Sequence, residues 1–183
     1  MVAQIARLII DYVVSFFVIL LLARFHMQWL RVPFRNQIGE FVVALTNWIV
    51  LPARRVVPGL AGLDLATLGV AWVLQALALW AQAAIVGAEP SYLAVAAVAA
   101  VDLVKLSVYI LIFAVIMQAV LSWVAPDSPA LPFFDMVTRT FLRPLKRFVP
   151  PVARIDISPL VLLLILYIAM IPLEYLRMAA ATL

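Results

Sequence analysis

Cysteine is absent from this 183-residue chain, and histidine occurs once, at His26. Without thiols there can be no disulfide, thiolate metal site, iron–sulfur cluster or cysteine nucleophile. No carboxylates cluster near His26 in the sequence, so no metal site is expected there. Charge is scarce as well: 12% of residues are charged, against about a quarter in a soluble domain. Only five glycines occur. No phosphate-binding glycine loop, serine-nucleophile elbow or haem-ligating histidine pair is present. The chain is therefore expected to be neither an enzyme nor a carrier of cofactor or metal.

What remains is apolar. Hydrophobic residues make up 68% of the chain, far above the roughly half usual in soluble domains. Folded in water, such a chain would expose large apolar patches, which soluble monomers avoid. With lipid as solvent, every backbone polar group must be satisfied internally, by helices or a closed barrel. The apolar runs are continuous rather than alternating, which selects helices.

A membrane crossing takes roughly 20 helical residues. Four runs qualify: about Ile5 to Leu30, Leu65 to Val86, about Leu93 to Val124, and Pro159 to about Tyr175. The first follows Arg7 and Asp11 with no small-residue cleavage site behind it, so it reads as a retained span rather than a signal peptide. Gly87 to Ser91 is a short turn. The connections 31–63 and 125–157 are longer and patterned. Phe34, Ile38, Phe41, Val42, Leu45, Trp48 and Ile49 recur at helical spacing in the first, and Phe134, Val137, Phe141, Leu145 and Phe148 in the second. Arg35, Gln37, Glu40 and Asn47 occupy the other side of the first, and Arg139, Arg143, Lys146 and Arg147 that of the second, as suits a helix lying in the membrane interface or packed on the bundle.

The connections also carry a repeated motif. Pro52, Arg54, Arg55, Pro58 and Asp64 recur as Pro144, Lys146, Arg147, Pro150 and Asp156, each followed by an apolar span. Agreement at these five spaced positions points to duplication. The expected architecture is an all-α membrane protein with four transmembrane helices, arranged as two parallel helix–amphipathic hairpin–helix repeats over residues 1–90 and 91–183. Most basic residues sit in or beside the two long connections, while the Gly87–Ser91 turn holds only Glu89. The positive-inside rule places both connections in the cytoplasm and both termini outside.

Structurally, Pro52 and Pro144 are expected to break the helix before them. Asp64 and Asp156 stand where an N-cap would, with Ser158 as an alternative cap before Pro159. The arginines would then contact anionic headgroups. Functionally, Arg54, Arg55, Lys146 and Arg147 form a pseudo-symmetric docking surface for a protein partner or anionic lipid. Nucleic acid is not expected, because topology already explains the basic bias. Within the spans, Asp11 and Asp102 occupy nearly equivalent repeat positions. Arg7 lies at i−4 to Asp11 and Lys105 at i+3 to Asp102, spacings that put each pair on one helix face. Asp11, Asp102 and Lys105 are read either as self-neutralised pairs or as the polar lining of an ion path. Gln28, Gln75, Gln82 and Gln118 are expected to hydrogen-bond between helices.

Gln28-Trp29, Arg31-Val32-Pro33-Phe34-Arg35-Asn36 and Leu51 to Gly59 resemble the YggT family, and Leu121 to Val124 with Leu142 to Pro151 and Asp156 to Leu160 resemble a second such unit. Ala153-Arg154 departs from the glycine pair usual before the aspartate. The resemblance implies a bacterial inner-membrane protein of the two-copy proteobacterial type. It also implies association with osmotic or potassium-related stress tolerance, or with cell division; chloroplast relatives are associated with cytochrome assembly. The leading expectation is a non-enzymatic inner-membrane protein supporting envelope and ion homeostasis through other membrane proteins or self-association. The rivals are a small oligomeric channel or transport component, and an assembly factor for membrane complexes or cell division.

Overall fold

The computed structural model describes residues 2–57, 59, 63–148 and 156–183. They form six helices: α1 (Val2–Trp29), α2 (Gln37–Val56), α3 (Leu65–Ile85), α4 (Tyr92–Val124), α5 (Leu131–Phe148) and α6 (Ser158–Ala180). Of these, α1, α3, α4 and α6 are long and apolar enough to cross a membrane. At about 1.5 Å per residue, α3 reaches about 31 Å and α4 about 50 Å, so α4 projects well beyond a hydrocarbon layer of about 30 Å. Large apolar side chains such as Leu8, Tyr12, Leu77, Phe113, Leu164 and Ile168 point outward from all four. Water would penalise that surface, whereas lipid accepts it.

The order long span, amphipathic helix, shorter span occurs twice along the chain. Within each half the two spans pack side by side, α1 on α3 and α4 on α6, and α3 and α1 both meet α4 to join the halves. Each amphipathic helix inserts a residue between its spans. Val50 of α2 packs with Val18, Leu21, Leu22 and Ala71, and Leu142 of α5 with Ile112, Val115, Leu162 and Leu166. Phe17 and Trp48 meet edge to face at 6.2 Å, and Phe113 and Phe134 at 6.1 Å. Because Phe17 lies about 18 Å from the Trp29 end of α1, α2 packs along the bundle rather than only skirting its rim.

Local chemistry sets the helix starts. The Asn36 side chain accepts from the Gly39 amide at 2.8 Å, capping α2. A Cβ on Gly39 would stand 2.6 Å from the Phe34 carbonyl oxygen, so glycine allows the preceding loop to fold back on α2. Asp64 caps α3 as expected, through the Thr67 amide. The second half differs from expectation. Ile157 is the N-cap of α6 and makes no side-chain cap bond. Ser158 does not cap, and among the described residues its buried hydroxyl has no partner. Asp156 instead accepts from the Ser158 amide at 2.9 Å.

Two further expectations are corrected. Pro52 and Pro144 do not end their helices, which run on to Val56 and Phe148. A proline robs the carbonyl four residues back of its partner, here Trp48 and Thr140. Both residues lie on exposed faces, where the orphaned carbonyl can be solvated. And α6 continues past Tyr175 to Ala180, adding Arg177 to the helix that already holds Glu174. Pro58, Pro150 and the Ala153-Arg154 departure lie outside the described residues.

Candidate functional site

The repeated motif closes on itself. Arg54, in the last turn of α2, donates from Nη2 to Asp64 Oδ2 at 2.5 Å and to Gln28 Oε1 of α1 at 3.2 Å. Asp64 also accepts from the Thr67 hydroxyl and amide while capping α3. One carboxylate thereby ties together the end of α2 and the start of α3. In the second half Lys146 Nζ reaches Asp156 Oδ2 at 2.8 Å. The basic residue and the aspartate, read from sequence as separate headgroup contact and cap, are partners in both copies. The clasps differ in burial: side-chain exposure is 38% and 3% for Arg54 and Asp64, against 51% and 43% for Lys146 and Asp156.

Burial alone would raise the Asp64 pKa, but the bonds from Arg54 and Thr67 outweigh it and hold the carboxyl below its ordinary range. Asp156 is held low in the same manner, with Lys146 and Ser158 as the donors that overcome desolvation. Both are anions at neutral pH, and each neutralises one motif cation. Among the described residues no ion pair forms at Arg55 or Arg147, and both are exposed. On α5, Arg139 and Arg143 are exposed too, so Arg139, Arg143 and Arg147 form a cationic stripe at four-residue spacing. The corresponding outward face of α2 carries Phe41, Trp48 and Leu51.

A residue that the sequence reading counted only among the basic residues beside the first connection proves to be structural. Arg24 is 4% exposed and donates from Nη1 to Thr46 Oγ1 at 2.7 Å and Asn47 Oδ1 at 2.9 Å. Thr46 in turn donates its hydroxyl hydrogen bond to the Val42 carbonyl, and among the described residues the Arg24 Nε has no partner. Thr138 in α5 also bonds a carbonyl one turn back, that of Phe134, yet among the described residues it has no arginine donor, and Ala114 of α4 packs with the neighbouring Phe134 and Val137. The available signal was a lone arginine inside an apolar run, opposite two polar residues of an otherwise apolar helix face.

Inside the spans the charges pair between helices, not along them. Asp102 Oδ1 accepts from Arg177 Nε at 2.6 Å, and Asp102 Oδ2 from Gln75 Nε2 at 3.2 Å. Lys105 pairs with Glu174. Three residues forward on α4 correspond to three residues back on α6, as antiparallel neighbours require. The expected Asp102–Lys105 pair does not form because the longer α6 brings its own acid and base opposite both. Asp11 takes a hydrogen bond from Gln82 at 3.2 Å, and no ion pair joins it to Arg7 among the described residues. Gln28, Gln75 and Gln82 thus bond between elements, whereas among the described residues the buried Gln118 Oε1 has no partner.

Residues 3–85 and 97–176 each match the CCB3/YggT family model, and the two segments follow the two three-helix halves. The chain belongs to the CCB3/YggT family. It is 32% identical over 162 residues to the uncharacterized protein YggT of Escherichia coli, covering 87% of this chain and 84% of that one. An uncharacterized Pseudomonas aeruginosa protein is 32% identical over 152 residues, 80% of this chain and 76% of its own. A Vibrio alginolyticus protein, described as uncharacterized and encoded in the proC 3' region, is 28% identical over 160 residues, with 84% and 85% covered. No solved structure matches significantly. In this YggT-family chain the motif forms a polar clasp at the end of each amphipathic helix, next to the span that follows it.

Proposed function

We propose that the protein is a non-enzymatic component of the bacterial inner membrane, built from tandem copies of one three-helix unit, that supports envelope and ion homeostasis by docking other membrane proteins. The observation that carries this reading is the division of labour within the motif. Arg54 and Lys146 are consumed by Asp64 and Asp156, while Arg55 and Arg147 stay exposed, the latter extended by Arg139 and Arg143. A cationic stripe on a membrane-packed helix suits an acidic partner segment or anionic headgroups. The positive-inside rule puts this surface in the cytoplasm and both termini in the periplasm. The osmotic and potassium-related role is the form of homeostasis that the family resemblance favours.

The channel reading fares less well. Asp102, Lys105, Glu174 and Arg177 neutralise one another across α4 and α6, which leaves no unpaired charge among them to attract a permeating ion. Liposomes containing the protein are expected to show no ion flux above empty ones, and Asp102→Asn and Lys105→Met no change.

The absence of cysteine makes a direct test clean. Single cysteines at Arg147 and Ser91 are expected to react with impermeant reagents from the cytoplasmic and periplasmic sides respectively. Photocrosslinking from position 147 should capture a discrete membrane protein, and Arg139→Gln/Arg143→Gln/Arg147→Gln should lose it. Capture of nothing but lipid and the protein itself, or flux that Asp102→Asn abolishes, would overturn the proposal.

A further inference from the structure

Between the two halves lies a cleft of about 580 Å³ that the docking reading does not use. Its back wall is the loop-proximal part of α1 (Ile19 to Met27) and the middle of α4 (Leu106 to Ala114), and its flanks are the starts of α2 and α5. Phe41, Tyr109 and Phe113 line it and are each more than half exposed, so the cleft opens sideways, from between two membrane spans, toward the surrounding lipid. Met27 and Phe134 of the lining also pack with Val32, which brings the loop after α1 against this end of the cleft.

Such a volume does not stay empty. Protein interiors are close-packed, with few voids larger than a water molecule, and lining atoms facing a void forfeit dispersion contacts. Water is a poor filler, because it needs two to four polar partners. The lining offers only His26 and Tyr109, and the His26 Nδ1–H already donates to the Leu22 carbonyl at 2.6 Å. The occupant is therefore a hydrocarbon chain, and the cleft lies within the roughly 300–1,000 Å³ range of built binding pockets. Charge at the polar end identifies what the chain belongs to. Exposed Arg31 follows Met27 by one turn and exposed Arg35 precedes Ile38, both in the loop joining two lining elements. Glu40, Asp135 and Arg139 lie on the faces of α2 and α5 opposite the lining residues, which leaves the loop arginines to set the charge at this end.

We propose that this cleft is a binding site for an anionic phospholipid, with one acyl chain between α2 and α5 and the phosphate against Arg31 and Arg35. The site holds a single lipid in fixed register, unlike the exchanging lipids on the outer faces of α1 and α6. It exists whichever side of the membrane the loops face, so it does not stand or fall with the docking reading.

The test uses the full-length protein in nanodiscs of phosphatidylcholine with a trace of phosphatidylglycerol bearing a diazirine in its acyl chain. Irradiation and peptide mapping are expected to concentrate label on the segments holding His26, Tyr109 and Phe134, with competition by unlabelled phosphatidylglycerol. Ala23→Phe fills the cleft and should remove that label at least tenfold while label on the outer face of α6 persists. Ile110→Trp serves the same purpose should Ala23→Phe fail to give a folded protein by circular dichroism. Arg31→Gln and Arg35→Gln should each lower the preference for phosphatidylglycerol over phosphatidylcholine roughly fivefold. Label spread evenly over all outward faces, equal cleft labelling by both headgroups, or crosslinks showing a second copy seated in the cleft would each overturn the assignment.

Discussion

The two clasps share a design but not an environment, so removing their aspartates should have unequal effects. In Asp64→Ala the cap on α3 is lost, a change of about 1 kcal/mol. The bond from Arg54 to a carboxylate only 3% exposed is lost with it, and hydrogen bonds to charged groups contribute about 1.5–3 kcal/mol. Arg54 is 38% exposed and partly screened, so the lower half of that range applies and the sum is about 2.5–3 kcal/mol. In Asp156→Ala the lost pair is about half exposed on both sides, and such pairs contribute about 0–1 kcal/mol. Unfolding by SDS in mixed micelles, followed by tryptophan fluorescence, measures both. A double-mutant cycle of Arg54→Gln with Asp64→Asn should give a coupling of about 1–2 kcal/mol. The cycle of Lys146→Gln with Asp156→Asn should stay below about 0.5 kcal/mol. Equal couplings, or a larger one in the second clasp, would refute the claim that burial sets the strength of the motif.

Three other outcomes are expected. Since the folded Asp64 carboxyl is held below its ordinary value, its contribution is complete above the unfolded value of about 3.9 and fades as pH falls through the lower folded one. Wild type should accordingly lose more stability below about pH 4 than Asp64→Asn does, as thermal melts would show. Arg24→Met should cost about 2 kcal/mol in the same SDS assay, because Thr46 and Asn47 lose their donor in a buried site; an unchanged midpoint would deny Arg24 its structural role. Gly39→Ala forces a Cβ against the Phe34 backbone and should destabilise by about 1–3 kcal/mol, with proteolysis of the 31–36 loop rising in parallel.

The spans, the amphipathic helices and the repeated order were legible in the sequence because hydropathy and periodicity act locally. The pairing of Arg54 with Asp64 was not, since it joins residues that were each given a sufficient local explanation, headgroup contact for one and cap for the other. Asp102 and Lys105 failed for a related reason. Helical spacing identifies which residues share a face but cannot say that a neighbouring helix presents Arg177 and Glu174 to both. The early end drawn at Tyr175 left out Arg177, because a charged final turn reads as aqueous unless its partners across the bundle are known. Pro52 and Pro144 show the limit of a strong local rule: a helix tolerates proline where the carbonyl left behind faces outward.

The four charges that lock α4 to α6 sum to zero and cross from one helix to the other in two antiparallel steps. A transmembrane voltage performs work on moving charge at about 2.3 kcal/mol per elementary charge per 100 mV. If these helices slide together through the bilayer, equal positive and negative charge travels the same distance and the field does no net work on the quartet. The bundle can thus keep ionised groups in its membrane half without becoming a voltage sensor, and its packing should hold alike in energised and de-energised cells.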